Sequence, residues 1–265
     1  MEKKIRVAAV GDNCVDAYDQ TGEAFPGGNP VNVAVYIVRL GGEASYTGVV
    51  GDDVYGKLMR ESIQKKGVDI SHLKTLRGRT AVTHVEICDG ERILGDYEEG
   101  VMAEFELDGE DVRFLGSHDM VVSGIWGMVE HNLAEIKACG TQIAFDFATK
   151  YDSPVIDAAI PNVDYAFFAW DEEEEETLRT FMREMQARGP KAVIVTRGEK
   201  GSIAYDGTDF TEYGIVPCEV VDTMGAGDSF IAGFLYGILQ GKELKECMHM
   251  GAANSSVTLG YSGAW

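Results

Sequence analysis

The stretch "DTMGAGDSFIAGFLYG", residues 222–237, joins a turn of small residues to an apolar helix. Apolar side chains recur at the spacing of a helix with one buried face, at Phe230, Ile231, Phe234, Leu235, Ile238 and Leu239. Gly225, Ala226 and Gly227 stand at the helix start, where free backbone N–H groups can bind an anion. Asp228 lies beside them, where a carboxylate can act as a base. An acid in a first helical turn is also favoured by the helix dipole, so the turn alone leaves both roles open.

Short apolar, β-branched runs alternate with amphipathic segments along the chain. The predicted strands are 5–11, 45–50, 119–124, 142–147, 164–169 and 192–196. The predicted helices are 30–41, 54–66, 131–139, 172–188 and 226–241. This alternation indicates an α/β fold with a mostly parallel central sheet flanked by helices. Small residues every four positions, Ser229, Gly233 and Gly237, predict that another helix packs closely against the last one.

One segment interrupts the alternation. Residues 79–100 alternate with period two on either side of Asp89-Gly90, a dipeptide typical of a hairpin turn. Residues 14–28 can add strands to this hairpin. We therefore expect a single α/β domain over 1–265, with a small β lid built from about 14–28 and 79–100.

The charge and composition exclude several classes of protein. The 265 residues include 44 acidic and 23 basic side chains, a net charge of −21. Nucleic acid and anionic membrane surfaces both need a positive footprint, so neither is an expected partner. No run approaches the roughly 20 apolar residues that span a bilayer, and no signal peptide is expected. The cysteines are scattered and odd in number, which indicates free thiols in the cytoplasm.

A second stretch, "GGNPVNVAVYIVRLGG" at 27–42, places two glycines before an amphipathic helix. Asn29 is the predicted N-cap. Gly27 and Gly28 allow the backbone to approach a substrate closely. Asn32 falls in the first turn, where its amide can donate to and accept from sugar hydroxyls. A well-capped packing helix would leave the spacing of the double glycine and this asparagine unexplained.

Together, residues 222–228 and 27–42 resemble the two signatures of the ribokinase-like (PfkB) sugar kinases, and the resemblance extends over essentially the whole chain. It implies a ribokinase-like fold and ATP-dependent phosphorylation of a primary hydroxyl, with Mg²⁺ as cofactor and a homodimer as the assembly. It is strongest to members that act on the 6-hydroxyl of an Amadori sugar amine. The alternative substrates are another fructosamine, fructose, ribose or a nucleoside.

The resemblance also implies the catalytic roles. Asp228 would take the hydroxyl proton, and the N–H groups of Gly225, Ala226 and Gly227 would form the anion hole. An NAD-dependent oxidoreductase would instead need GxGxxG after the first strand, which "GDNCVD" does not supply. A non-enzymatic sugar-binding protein would not need a base at a bare helix N-terminus.

Substrate contacts are expected from two regions. The sequence "GDNCVD" puts Asp12 and Asp16 on one face of a strand. Asp16 matches the family's sugar-binding acid, and Asp12 is a second candidate whose alternative is an ordinary turn residue.

The hairpin supplies the second region. A sugar amine carries an ammonium group, which acids and aromatic rings suit. Asp96 and Tyr97 on one strand, with His84 and Glu86 on the facing strand, are the candidates. A polar, solvent-facing strand is the alternative.

The resemblance implies nucleotide contacts at Thr196, Gly198 and Gly201, in a turn after a buried strand, and at Asn254. An ordinary strand-ending turn is the alternative for Gly201.

Metal contacts follow from the same resemblance. Ala169 replaces the usual asparagine of the family's magnesium motif, and Glu172 or Glu173 would take the glutamate role. The alternative for this acidic run is a solvated first turn of a helix. Asp222 is the residue connected to K⁺, which family members often hold.

Overall fold

The computed structural model describes residues 4–88, 91–171 and 174–265. Its strands are β1 (Arg6–Val10), β2 (Cys14–Tyr18), β3 (Glu23–Gly27), β4 (Glu43–Gly51), β5 (Leu73–Leu76), β6 (Val82–Cys88), β7 (Glu91–Glu98), β8 (Met120–Gly124), β9 (Gln142–Asp146), β10 (Tyr165–Ala169), β11 (Ala192–Thr196), β12 (Ser202–Tyr205) and β13 (Phe210–Tyr213). Its α-helices are α1 (Asn29–Arg39), α2 (Val54–Lys65), α3 (Gly109–Gly116), α4 (Leu133–Ala138), α5 (Pro154–Ala159), α6 (Glu175–Gln186), α7 (Ala226–Leu239) and α8 (Leu244–Thr258).

The large sheet has nine strands in the order β13-β12-β11-β10-β9-β8-β1-β4-β5. Neighbours from β11 to β5 are parallel, and β12 and β13 join antiparallel at one edge. The parallel strands are nearly continuous apolar runs because helices cover both faces of the sheet. The predicted α/β fold with a mostly parallel central sheet is therefore confirmed.

Alternate residues of β1 contribute to two cores. Val7 and Ala9 belong to a cluster with α1 and α7, whereas Ala8 and Val10 belong to a cluster on the other face with α4 and α6. Side chains alternate between the faces of a strand, so both sets are buried here. The parallel strands all end at one edge of this two-sided core, and that edge is where sites form in α/β sheets.

The last two helices pack closely through the predicted stripe of small residues. A Cβ at Gly237 would lie 3.0 Å from the Cys247 Sγ of α8, and a Cβ at Gly233 would collide with the carbonyl oxygen of Met250. The predicted close helix neighbour is therefore confirmed as α8.

A second, smaller sheet has four strands in the order β3-β2-β6-β7. β6 and β7 form the antiparallel hairpin predicted within 79–100, and its expected turn at Asp89-Gly90 lies outside the described residues. β2 and β3 come from the predicted segment 14–28, and β2 runs parallel to β6. The positions of these strands agree with the prediction, while their function as a lid stays a prediction.

Some elements do not follow from the sequence pattern. The short helices α3 and α5 and the strands β5, β12 and β13 carry too few periodic residues to be predicted. α6 begins at Glu175 rather than at 172. Within the described ranges, every helix is too short or too polar to cross a bilayer.

Candidate active site

Four side chains from distant parts of the sequence meet at the carboxyl edge of the large sheet. They are Asp12, Asn29, Asp146 and Asp228. Asp146 is the last residue of β9, and Asp12 follows the end of β1 by two positions. Parallel strands bring their carboxyl ends to the same edge, so these two acids lie close together. Asn29 and Asp228 reach the same place from the first turns of α1 and α7.

Asn29 connects the three carboxylates. Its Nδ2 donates to Asp146 Oδ2 at 2.8 Å and to Asp228 Oδ1 at 2.6 Å. Its backbone N–H acts on the carboxylate of Asp12, whose pKa it lowers against the effect of burial. A carboxylate only accepts hydrogen bonds, so the nitrogen of the amide must face the acids. Its Oδ1 is buried and has no hydrogen-bond partner among the described residues.

The prediction that Asn29 caps α1 is wrong. Gly28 is the N-cap, with φ of 115°, and Asn29 is the first helical residue. A Cβ at Gly28 would lie 2.7 Å from the Cα of Asn13 and 2.9 Å from the carbonyl oxygen of Asp12. Only glycine fits such a backbone conformation and approach. The Asn29 side chain is therefore released from capping and reaches the carboxylates instead.

Asn32 holds the other oxygen of Asp228. Its Nδ2 donates to Asp228 Oδ2 at 2.6 Å, and its Oδ1 accepts from Trp265 Nε1 at 2.7 Å. An indole N–H can only donate, so it fixes the oxygen of the Asn32 amide toward Trp265 and the nitrogen toward Asp228. Both ends of the Asn32 amide therefore have partners inside the protein, so Asn32 contacts the predicted base directly, and this arrangement does not support the expected contact with sugar hydroxyls.

The three carboxylates have unusual electrostatics. Burial, followed by the charge of Asp228, raises the pKa of Asp12 to about 7. Burial likewise raises the pKa of Asp146 to about 7, with the charges of Asp228 and Asp12 acting in the same direction. Burial also raises the pKa of Asp228, against the hydrogen bonds from Asn32 and Asn29, which lower it. No ion pair of the described residues neutralises any of the three.

The start of α7 differs in part from the predicted anion hole. Gly225 is the N-cap, with φ of 72°, and Gly227 has open space where a Cβ would lie. The Ala226 N–H donates to the carbonyl oxygen of Thr223 at 3.2 Å, so the prediction that it is free is wrong. Its bond closes the tight turn that places the helix start. The N–H groups of Gly225 and Gly227 have no acceptor among the described residues, as the anion hole requires.

The register of the small sheet puts Asp16 and Tyr97 on the face that meets this cluster. Asp16 is aligned with Thr83, and Thr83 with Tyr97, so the three share one face. Burial and the neighbouring Cys14 and Asp12 raise the pKa of Tyr97 to about 12. Two of the predicted substrate residues are thus brought together with Asp12. Gly27 lies on the same side, since a Cβ there would be 3.9 Å from the Asp16 carboxylate.

The other lid candidates lie on the opposite face. His84 Nδ1 is 2.9 Å from Asp19 Oδ2, and its Nε2 is 3.5 Å from Glu98 Oε1. The hydrogen bond to Asp19 raises the pKa of His84. By strand alternation Glu86 and Asp96 share this face. The structure therefore does not bring His84, Glu86 or Asp96 to the carboxylate cluster, because the sequence pattern identified the strands but not their register.

The predicted nucleotide loop follows β11. Thr196 ends the strand, and Gly198 has a φ of 54° with open space around the position that a Cβ would take. Such open backbone is compatible with a close ligand. Gly201 has a φ of 83°, and a Cβ there would collide with the carbonyl oxygen of Tyr213. The tight turn therefore accounts for Gly201 without a nucleotide contact.

Asn254 is buried between α7 and α8. Its Nδ2 donates to the carbonyl oxygen of Ser229 at 2.7 Å, and its Oδ1 accepts from Arg39 Nη2 at 2.8 Å. Both ends of the amide are used inside the protein. This arrangement does not support the expected contact with a nucleotide, since α8 turns the side chain toward α1 and α7.

The predicted metal residues are placed only in part. Glu172 and Glu173 lie outside the described residues. Asp222 Oδ1 accepts from the Met224 N–H at 3.0 Å, and its Oδ2 accepts from the Gly263 N–H at 2.7 Å. Asp222 therefore connects the turn before α7 to the C-terminal segment.

Sequence reasoning missed Asp146 and Trp265. It also missed that the Asn29 side chain donates hydrogen bonds to the carboxylates of Asp146 and Asp228. Asp146 had a usable signal, because it is the polar end of a predicted buried strand, 142–147, in a parallel sheet. Trp265 had none, because its contact with Asn32 spans 233 positions.

A sequence profile described as "pfkB family carbohydrate kinase" matches residues 2–265. The chain is 48% identical to fructoselysine 6-kinase of Escherichia coli (strain K12) over 259 residues, which cover 98% of this chain and 99% of that protein. It is 31% identical to a fructosamine kinase of Bacillus subtilis (strain 168), over 98% of this chain and 93% of that one.

Among solved structures, the chain resembles an Arabidopsis thaliana ribokinase complexed with ribose and ATP. The TM-score is 0.88 at 21% identity, covering 99% of this chain and 94% of that one. This likeness supports the ribokinase-like fold. The chain belongs to the PfkB family of carbohydrate kinases. It is accordingly a phosphotransferase with an alcohol group as acceptor.

Proposed function

We propose that this protein transfers the γ-phosphoryl group of ATP to the 6-hydroxyl of fructoselysine, which yields fructoselysine 6-phosphate and ADP. One observation carries the chemistry: Asp228 is held by two asparagine amides at the N-terminus of α7, with no basic side chain among the described residues paired to it. The 48% identity to a fructoselysine 6-kinase supports the substrate.

In the proposed reaction, Asp228 takes the hydroxyl proton as the oxygen attacks the γ-phosphorus. The bond between this phosphorus and the β–γ bridging oxygen breaks, and ADP leaves. Burial raises the pKa of Asp228, which makes its carboxylate a better proton acceptor. The N–H groups of Gly225 and Gly227 are directed to the transferring group, whose charge they stabilise.

Magnesium would reach this site with ATP and neutralise phosphate charge. Within the described residues, no cluster of three or more acidic, histidine or cysteine side chains is arranged to hold a metal. Mg²⁺ in kinases is typically bound by one or two carboxylates together with phosphates and waters, so a cluster of three protein ligands is not required. Glu172 or Glu173 is the proposed support. For K⁺ we derive no step, because the contacts of Asp222 to the backbone account for that residue.

The charge of the site favours a cationic sugar. Asp12, Asp146 and Asp228 meet without a cation from the described part of the chain, and fructoselysine carries a secondary ammonium group beside its sugar ring. This ammonium group is bonded to C1, at the other end of the sugar from the 6-hydroxyl, so it would offset the net charge of the site without pairing with Asp228. Asp16 and Tyr97 are the proposed contacts from the small sheet, and the Gly27–Gly28 backbone completes the sugar site, while Asn32 acts through Asp228. His84, Glu86 and Asp96 have no part in it, since they face away.

Substrate choice is tested by ADP release with ATP and Mg²⁺ on fructoselysine, fructosyl-asparagine, fructose and ribose. We expect kcat/KM for fructoselysine to exceed that for fructose by at least about 100-fold, the value of two charged hydrogen bonds. Comparable rates on fructose or ribose would contradict the cationic site but retain the kinase. A preference for fructosyl-asparagine would favour the second candidate, a fructosamine kinase of different amino-acid specificity, which the similarity to the Bacillus subtilis protein also supports.

The assembly is proposed as a homodimer of one-domain subunits, in which the small sheet acts as a lid. On the face of that sheet opposite Asp16 and Tyr97, His84 pairs with Asp19 and Glu98. Cys14, Cys139, Cys218 and Cys247 are free thiols, consistent with the proposed cytoplasmic location. Sedimentation velocity tests the dimer, and a monomer at micromolar concentration would contradict it.

A further inference from the structure

Each oxygen of Asp228 is held by a different asparagine of α1. Asn29 donates to Oδ1 and Asn32 to Oδ2, both at 2.6 Å. The two asparagines lie in the first turn of one helix, and Asn29 is 9% and Asn32 6% exposed. Asn29 and Asn32 therefore determine the direction in which the carboxylate of Asp228 points.

Asn29 is itself fixed by Asp146. An amide nitrogen carries two hydrogens, and in Asn29 one goes to Asp228 and the other to Asp146 Oδ2 at 2.8 Å. Asp146 is held in turn, because its Oδ1 accepts from the Ala148 N–H at 2.9 Å. Ala148 has the left-handed φ of 49°, unusual for a residue other than glycine. A strained backbone at this position indicates that the orientation of Asp146 matters.

Asn32 is fixed by Trp265. The indole N–H lies 2.7 Å from Asn32 Oδ1 and excludes the flipped amide, which would direct oxygen to Asp228. The Trp265 ring packs against the hydrophobic core of α1 and α7, and Lys66 Nζ lies 5.5 Å from a ring centroid. The segment before it is held by the Gly263 N–H bond to Asp222.

We infer that Asp146 and Trp265 are positioning residues for the phosphoryl-transfer reaction, and that they orient Asp228 through Asn29 and Asn32, respectively. The inference rests on the proposed function of Asp228 as the base. Neither residue needs to touch the reacting atoms. Each holds an amide in the one orientation that keeps the carboxylate ionised and aimed.

The first test uses Asn29→Ala, Asp146→Asn and the double variant, with fructoselysine, ATP and Mg²⁺. Removing the Asn29 amide deletes a hydrogen bond to a charged group, so we expect kcat to fall about tenfold or more. In Asp146→Asn the new amide nitrogen meets a donor in either orientation, the Asn29 amide or the Ala148 N–H, so kcat should fall severalfold. If Asp146 acts through Asn29, the double variant at pH 8 stays within about twofold of Asn29→Ala. Multiplied losses would overturn the inference.

The pH profile provides a readout that a purely structural role would not move. Asn29→Ala removes a bond that lowers the Asp228 pKa, so the acid limb of kcat should move to higher pH. The titratable groups that face Asp228 are Asp12, Asp146 and Tyr36, and all three remain in this variant. An unshifted acid limb would count against the inference.

The matched control is Asp164→Asn, the same change at a buried aspartate of the opposite sheet edge. It should leave the acid limb and kcat unchanged, because Asp164 contacts Lys137 and Lys191 instead of the site. The melting temperature of each variant shows whether a loss of kcat comes from unfolding or from a misplaced Asp228 carboxylate. The Asp228 carboxyl, followed by ¹³C NMR in the free enzyme, reports its pKa without any substrate.

Trp265→Phe tests the second contact, because it keeps an aromatic ring and removes the N–H. We expect kcat to fall severalfold and the KM for fructoselysine to change less, and the double variant with Asn32→Ala should stay within about twofold of Asn32→Ala alone. A higher KM with unchanged kcat would assign Trp265 to sugar binding and overturn its positioning role. An active Asp228→Asn enzyme would instead refute the proposed function, so the two failures are distinguishable.

Discussion

The two edges of the large sheet treat buried carboxylates in opposite ways. At the amino edge, Asp164 is 6% exposed and lies 3.2 Å from Lys191 Nζ and 3.6 Å from Lys137 Nζ. At the carboxyl edge, Asp146 and Asp228 receive only neutral amide and backbone donors from the described residues. The first arrangement neutralises a charge, and the second orients one while leaving it uncompensated.

This difference separates a stabilising carboxylate from a reactive one. A paired aspartate stays ionised and inert, whereas burial without a cation raises the pKa and makes the group a candidate proton acceptor. The uncompensated charge at the carboxyl edge therefore lowers the free energy of unfolding, and a bound cationic substrate would offset this loss. Three substitutions test this comparison.

The largest effect is expected for Asp228→Asn. The amide cannot accept the hydroxyl proton, so kcat should fall about 1000-fold, within the usual range for a general base. Loss of a buried, unpaired charge should leave the melting temperature equal to or above that of the wild type. Steady-state kinetics and calorimetry measure the two quantities. Activity within tenfold of wild type would show that Asp228 is not the base.

An intermediate effect is expected for Asp164→Asn at the amino edge. The amide still accepts the Ile143 N–H, which lies 2.9 Å from Asp164 Oδ2, but Lys137 and Lys191 lose their partner. Because both lysines are partly exposed, we expect a loss of about 1 kcal/mol, or 2–4 °C in melting temperature. Chemical denaturation at pH 7 measures it. Increased stability would show that the amino edge is strained like the carboxyl edge.

The smallest effect is expected for Asp12→Asn, and its size depends on pH. The native pKa of Asp12 is raised from 3.8 to about 7, so the native state binds the proton more tightly than the unfolded chain. This group therefore stabilises the fold least above pH 7, and its contribution declines as pH rises from about 4 to 7. Asp12→Asn should raise the melting temperature by about 2 °C at pH 8 and by less at pH 5.

Comparing thermal unfolding of Asp12→Asn with wild type at both pH values isolates this group, because all other titrations occur in both proteins. A gain that is equal at pH 5 and pH 8 would contradict the raised pKa of Asp12.

The sequence was sufficient for the layers of the fold, because buried parallel strands and amphipathic helices have distinct periods. The resemblance of residues 222–228 and 27–42 to the PfkB signatures was also sufficient to predict that Asp228, Asn32 and Asp12 belong to one site. The elements that the sequence pattern missed include β12 and β13, which are four-residue strands at one edge of the sheet. Their composition alone carries too little strand signal, and they form because they pair with neighbouring strands.

The remaining differences concern side-chain direction. Gly28 displaces the helix cap by one position because its backbone lies against Asn13, and this contact sends Asn29 to the acids. His84 and Tyr97 lie on opposite faces of the small sheet, because the register of strand pairing determines which side chains share a face. Asn254 is turned inward by helix packing. Each outcome depends on a contact between segments far apart in sequence, which local pattern does not encode.

The asparagine contacts to Asp228 also have a consequence for synthesis of the chain. Asn29 and Asp228 are 199 positions apart, and Asn32 and Trp265 are 233 apart. On the ribosome, α1 emerges long before either partner, and a domain of such long-range contacts closes late. A nascent chain therefore lacks these contacts to the Asp228 carboxylate until α7 and Trp265 have been synthesised and have docked against α1.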